Sequence, residues 1–401
     1  MACVRVLVTG GSGFLGRNII RLILSKHPEW SIAALDLRPP EPGIAKEVDE
    51  VFGVDIRDAA GLKTSFATFK PDLVIHTAGF VPNRGARYSR KDADWQKVKS
   101  INYDGTVNVV AATLESGCRK LVYTSSVTAV IDDLEHDYYY MDESVPIGLA
   151  TLHYGRSKGM AETFVLSPEH REKGLQACAL RPCTIIGPDD TQVISLLHDL
   201  IAKGETGFIV GDGMNMYDWM YIDNAVHAHL LAAENLLSTA TAAGEAFFIT
   251  NQEPAYFWAF LAATWAQFGH VPPYRIHIPV ALAFLVAALL EWMTWFTGKP
   301  TTLDTGSVKD GIRTQYASNE KAISILGYRP VVGLSEGVRR TCEGYKKQLE
   351  AKKLLLENKG RHDGSNGVVA NGKSTNGKST NGSALNGKPA PDGLARNGFA
   401  A

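Results

Sequence analysis

"CVRVLVTGGSGFLG", residues 3–16, joins a β-branched run from Val4 to Val8 to three spaced glycines and then to an amphipathic segment, Phe14 to Leu24. β-Branched residues suit the pleated backbone of a strand, and apolar residues recurring every three or four positions suit a helix. A second apolar run, "SIAALD", follows and ends at Asp36. The order is that of a βαβ unit. Gly10, Gly13 and Gly16 stand where the strand gives way to the helix. Glycines there allow a tight turn and let a pyrophosphate approach backbone N–H groups at a helix N-terminus. Ser12, Phe14 and Leu15 share the turn and join them as candidate cofactor contacts. Asp36, 20 residues beyond Gly16, is placed to accept from the ribose hydroxyls and to repel a 2′-phosphate. That points to NAD rather than NADP, with Arg38 as the residue that would otherwise receive the phosphate.

Outward from this unit, near-continuous apolar runs recur with helical text between them: "LVIHTA" from Leu73, "KLVYTSS" from Lys120 and "QACALRP" from Gln176. Such strands suit a parallel sheet covered on both faces, so the expected fold is α/β, a doubly wound parallel sheet with a smaller C-terminal substrate part. Residues 1–188 form the dinucleotide-binding domain in this reading, with segments near 208–250 returning to it. Residues 189–358 are assigned mainly to substrate binding and close with a helix from Leu334 to Glu357. "GVDIRD" ends the third strand and sets Asp55 and Ile56 to bracket an adenine. "HTAG" ends the fourth, with Ala78 and Gly79 small enough for a cofactor to pass close.

The chain has 401 residues, 45% of them hydrophobic, and a formal charge of −1. Without a basic field there is no case for a nucleic-acid partner. Five scattered cysteines lack metal-ligand or disulfide spacing, no metal site is expected, and the first ten residues carry none of the zones of a secretion signal. From Lys359 the text becomes polar, with Asn-Gly at 366, 371, 376, 381 and 386, which predicts a disordered tail. "IHIPVALAFLVAALLEWMTWFTG", Ile276 to Gly298, holds 11 consecutive apolar residues, too few to span a bilayer, and reads either as core or as an interfacial segment. "HDYYYMDES", His136 to Ser144, offers three tyrosines that either stack on a rigid apolar ligand or pack their own loop.

"LHYGRSKGMAE" contains Tyr154 and Lys158, 28 and 32 residues after Ser126 in "YTSS". Four apart on a helix, they share a face. Oxidation of an alcohol needs a base for the hydroxyl proton, and a phenol near pKa 10 becomes one only where a cation favours the phenolate. A serine hydroxyl then holds the substrate oxygen. Taken together, "TGGSGFLG", Asp36, "YTSS", Tyr154-x-x-x-Lys158 and "LRPCTIIGP" resemble the extended short-chain dehydrogenase/reductases over residues 3–348. The resemblance implies a Rossmann fold and assigns Ser126, Tyr154 and Lys158 to proton handling, with Ser125 as the alternative serine. It also implies that Lys158 binds the nicotinamide ribose, that Asn102 supports Lys158 through water, and that the segment around Arg181 and Pro182 contacts the nicotinamide carboxamide.

"DWMYIDNAVHAHLLAAENL" and "GEAFFITNQEPAYFWAFLAATW" further resemble the 3β-hydroxysteroid dehydrogenases, in particular fungal sterol-4α-carboxylate 3-dehydrogenases (decarboxylating). That resemblance implies NAD-dependent oxidation of the 3β-hydroxyl of a sterol or triterpenoid, at the cytosolic face of the endoplasmic reticulum membrane, and allows a homodimer. Loss of a neighbouring carboxylate needs no extra side chain, so a simple steroid or terpenoid dehydrogenase stays open. A nucleotide-sugar epimerase would reuse the same tyrosine and lysine but would want a polar pocket. A non-catalytic NAD-binding protein would not need the full set.

Overall fold

The computed structural model describes residues 3–365 apart from 132, 133, 135, 149, 191 and 298–302. Seven parallel strands form the main sheet: β1 (Arg5–Thr9), β2 (Ser31–Asp36), β3 (Glu50–Gly53), β4 (Leu73–His76), β5 (Lys120–Thr124), β6 (Gln176–Pro182) and β7 (Ala246–Ile249). Their spatial order is β7-β6-β5-β4-β1-β2-β3, with Val6 opposite both Ile32 and Leu73. The order reverses between β1 and β4, and a sheet of this kind opens a crevice at the carboxyl ends of its strands there.

Side-chain alternation explains why both faces are covered. Val6 and Val8 of β1 pack on one face with Ile19, Ile20 and Ile23 of helix α1 (Phe14–Lys26). Leu7 points the other way, toward Leu62 and Phe66 of α2 (Ala59–Phe69) and Val109 and Val110 of α3 (Gly105–Glu115). Helix α4 (His153–Val165) buries Ala161 and Val165 on that second face, whereas α5 (Ile222–Leu237) lays Ala225, Ala228 and Ala232 beside α1. Small residues bring α5 close to its neighbours; the strands' continuous apolar text reflects this double covering. β7, far along the chain, joins the edge of the sheet beside β6.

The later segments build a second core around Trp219, Phe260, Leu261 and Trp265, with Trp219 stacked on Phe260 at 3.9 Å between ring centres. Phe260 and Trp265 belong to α6 (Phe257–Gln267). A small four-stranded sheet sets residues 216–217 between 255–256 and 315–317, with 138–141 at its edge. Helix α7 (Val280–Thr297) buries Ala283 and Ala287 against Val210 and Val308, but leaves Leu285, Leu289 and Trp292 exposed at 58%, 54% and 61%. Its apolar text therefore is not simply core. The side chains of Trp295 and Phe296 lie outside the described residues.

Two sequence expectations change. The tyrosine-rich segment is a strand, Tyr138–Met141, rather than a loop, because Tyr138 N–H donates to Thr314 O and the strand pairs with Gln315–Ala317. The closing helix α8 (Leu334–Ser365) runs past the expected end at Glu357; once nucleated, a helix adds residues at little cost, and Glu336 pairs with both Arg339 and Arg340 in its first turns. Met1–Leu349 form one unit and Glu350–Ala401 another; residues 366–401, which hold the Asn-Gly repeats, lie outside the described residues. No described helix is long and apolar enough to cross a membrane.

Candidate active site

The carboxyl ends of β1, β2, β4, β5 and β6 deliver the glycine turn, Asp36, Ala78 and Gly79, the serine pair and Pro182 to one edge of the sheet. Gly10 adopts φ +71°, and a Cβ there would lie 2.7 Å from Ala78 N. At Gly16 a Cβ would lie 2.1 Å from Gly10 O, so α1 packs onto the turn only without a side chain. Gly13 caps α1 with no side-chain acceptor and no acid in the first turn, leaving the positive helix end open to an anion. Behind the turn, His76 lies between Thr9 Oγ1 at 2.6 Å and Thr106 Oγ1 at 2.9 Å. Burial, aided by the Lys158 charge, pushes its pKa down to about 3, so it stays neutral.

Asp36 accepts from Ser12 N–H and Arg38 N–H, both at 3.1 Å, which fixes the carboxylate beside the turn. Asp55 pairs with Arg57, which holds its carboxyl below the usual range. Ile56 is buried with its side chain over Gly105, where a Cβ would come within 2.6 Å. A glycine turn shaped for close approach, an unblocked helix end and a fixed acid at the end of β2 fit an adenine dinucleotide.

At the other end of the crevice the two serines separate. Ser125 donates to Glu162, a buried carboxylate that also takes Arg181 Nε and Nη2 at 3.0 and 2.6 Å. Ser126 Oγ accepts from Thr128 N–H at 3.2 Å and Thr128 Oγ1 at 2.9 Å, so its own proton is left to point at the site. Tyr154 lines the same cavity as Ser126. Burial raises its phenol to about 12, while the nearby Ser126 hydroxyl and the charge of Arg87 act against the rise. Lys158, buried one turn on, is lowered by burial to about 8, with Glu162 opposing. Its ammonium donates to Thr124 O at 2.8 Å and fills the space that a side chain at Gly79 would need. Asn102 clasps the backbone of Phe80 through both its amide atoms and donates to Ser157 Oγ; no direct bond to Lys158 is present among the described residues.

A cavity of about 370 Å3 takes in Phe14, Leu15, Gly79, Ser126, Tyr154, Lys158 and Pro182 together. Gly10, Ser12, Gly13, Gly16, Asp36, Asp55, Ile56 and Ala78 lie outside its lining, along the crevice edge. Arg181 is held away from it by Glu162. None of the three neighbouring tyrosines lines it; Tyr139 and Tyr140 are exposed and meet Tyr316 edge-on. Sequence reasoning missed Arg87, Tyr217, Arg313 and Gln315, which line the same cavity from distant parts of the chain. No local spacing marks them.

A model of the 3-beta hydroxysteroid dehydrogenase/isomerase family matches residues 7–280. The chain belongs to that family. It is 38% identical over 336 residues to the sterol-4-alpha-carboxylate 3-dehydrogenase erg26, decarboxylating, of Schizosaccharomyces pombe, covering 82% of this chain and 94% of that protein. Its identity to the Mus musculus sterol-4-alpha-carboxylate 3-dehydrogenase, decarboxylating, is 31% over 345 residues, 84% of this chain and 90% of the relative. Among solved structures, UDP-glucose 4-epimerase of Thermus thermophilus, in complex with NAD, superposes with a TM-score of 0.64 at 24% identity, over 86% of this chain and 99% of that one. That likeness concerns the fold. Family membership makes this dehydrogenase an oxidoreductase that works with a nicotinamide cofactor.

Proposed function

We propose that this dehydrogenase oxidises the 3β-hydroxyl of a sterol bearing a 4α-carboxylate, with NAD as oxidant, and releases carbon dioxide. The observation that carries the reading is that Ser126, Tyr154 and Lys158 line one cavity with Val81, Pro82, Ile131 and Leu134, in a chain of this family. Its volume suits a small-molecule ligand, and its apolar wall suits a sterol better than a nucleotide sugar.

When bound, NAD supplies the hydride acceptor. The glycine turn would hold its pyrophosphate, Asp36 its adenosine ribose, Lys158 its second ribose and Pro182 its carboxamide end. Ser126 would donate to the substrate oxygen while Tyr154 takes the hydroxyl proton. Even against the downward pull of Ser126 and Arg87, burial leaves this phenol at about 12 and little ionised at neutral pH, so the step would require the further pull of the Lys158 ammonium and of the positive nicotinamide of bound NAD. Oxidation leaves a β-keto acid, whose loss of carbon dioxide asks nothing further of the protein. Residues 189–358 would mainly shape the substrate side. The exposed stripe on α7 supports seating at a membrane surface, the cytosolic face of the endoplasmic reticulum in this reading, where an insoluble sterol is available.

The test is NAD reduction by the purified protein with a 4α-carboxylated 3β-hydroxysterol and with the uncarboxylated alcohol, following absorbance and product mass. Turnover of the acid with loss of one carbon dioxide is the expected result. Turnover of the alcohol alone would point to a simple 3β-hydroxysteroid dehydrogenase.

A further inference from the structure

We infer that Arg87 is the anchor for the substrate's carboxylate and so sets the preference for an acidic sterol over a neutral one. The inference deepens the function proposed above and rests on it. A carboxylate on the carbon next to the carbinol must lie beside the group that takes the hydroxyl proton. Arg87 lines the cavity together with Tyr154, and its charge acts on the Tyr154 phenol.

The guanidinium is held from behind and open in front. Asp310 Oδ2 pairs with Arg87 at 3.1 Å and also takes the Tyr88 hydroxyl. Its other oxygen takes Arg313 at 2.9 Å. The Asp310 side chain is only 12% exposed, whereas that of Arg87 keeps 45% of its surface open. Five N–H donors in a planar fork serve one shared carboxylate, which leaves an edge of the fork for a second carboxylate. Tyr88 also underlies the guanidinium, with its ring centre 5.6 Å from the Arg87 carbon, and restricts its movement. Asp310 and Tyr88 are thus positioning residues.

The described acids that line the cavity would not repel this ligand strongly. Asp189 is paired with Arg17 at 2.6 Å, and Asp190 accepts from the N–H groups of Gln192, Val193 and Ile194. In the same lining, Val81, Pro82 and Leu134 offer apolar contact and no competing acceptor side chain. A carboxylate entering beside Tyr154 therefore meets a preoriented guanidinium. A sterol lacking it leaves Arg87 to water.

The experiment compares kcat/KM of the NAD-loaded enzyme for the 4α-carboxylated sterol and for the matching neutral 3β-alcohol, in wild type, Arg87→Met and Arg87→Lys. A charge-assisted contact of this kind sets the expected loss of preference for the acid at on the order of 30-fold in Arg87→Met, with part of it kept in Arg87→Lys. Asp310→Asn should raise KM for the acid more than it lowers kcat. An equal loss on both substrates, as a merely structural arginine would give, overturns the assignment. So does an unchanged preference in a wild type and variant that both turn over the acid; that outcome leaves the proposed function standing. A wild type silent with the acid overturns the proposed function and the Arg87 assignment together.

Discussion

Replacing Glu162 by Gln tests the ion pair that holds the serine pair in register. Glu162 is 1% and Arg181 6% exposed at the side chain, and Arg181 donates to Glu162 Oε1 from Nη2 at 2.6 Å and from Nε at 3.0 Å, with Nε also 3.2 Å from Oε2. Removing one partner of such a pair strands the other charge in the interior, at a cost of about 3–5 kcal/mol. An unfolding entropy of about 2.1 cal/mol/K per residue gives roughly 0.7 kcal/mol/K for a unit of this size, so the melting temperature should fall by about 4–7 °C. The double variant Glu162→Leu, Arg181→Met should recover most of that loss, less about 1–3 kcal/mol for the Ser125 hydroxyl left without its acceptor. Calorimetric melting of wild type, Glu162→Leu, Arg181→Met and the double variant completes the cycle. Additive losses in the double variant would show that Glu162 and Arg181 are not coupled and would refute the reasoning. Steady-state rates add a second readout: freed from Glu162, Ser125 can rotate toward the site, so Glu162→Gln should also disturb kcat.

Tyr154→Phe should abolish turnover while NAD affinity stays within about threefold, checked by cofactor titration; lost binding would make Tyr154 a structural residue. Asp36→Ala should raise relative use of NADP, read as the ratio of kcat/KM for the two cofactors. His229, buried and lowered to about 4 against an ordinary 6.5, binds its proton in the unfolded chain first. Stability should therefore fall as pH drops from 6.5 toward 4, by about 3 kcal/mol from this group, and His229→Gln should flatten that slope in denaturant titrations. Glutamate at both Leu285 and Trp292 should weaken binding to phospholipid vesicles in a sedimentation assay, since both side chains stand exposed on α7.

The main sheet was legible because its signals are local. A strand, a glycine turn and a helix fit within residues 3–26, and β6 falls at Gln176–Pro182 as its apolar run predicts. The tyrosine-rich strand was not legible, because its partner Gln315–Ala317 lies far along the chain and pairing of that range leaves no mark in a short window. The ambiguity at "YTSS" was equally local in kind: adjacent serines are chemically alike, and a strand alternates its faces. Their partners distinguish them, Glu162 for Ser125 and Thr128 for Ser126.

The sequence by itself determined the dinucleotide turn, the parallel sheet and the tyrosine and lysine on one helix face, since backbone geometry and short-range periodicity dictate those. Tertiary structure decided where charge stands around the phenol. Lys158 lies one turn away, yet its ammonium is bonded to Thr124 O, while Arg87, 67 positions before Tyr154 in the chain, reaches the cavity and acts on that phenol. Electrostatic action follows distance in space and burial, and neither is written in the spacing of residues along a chain.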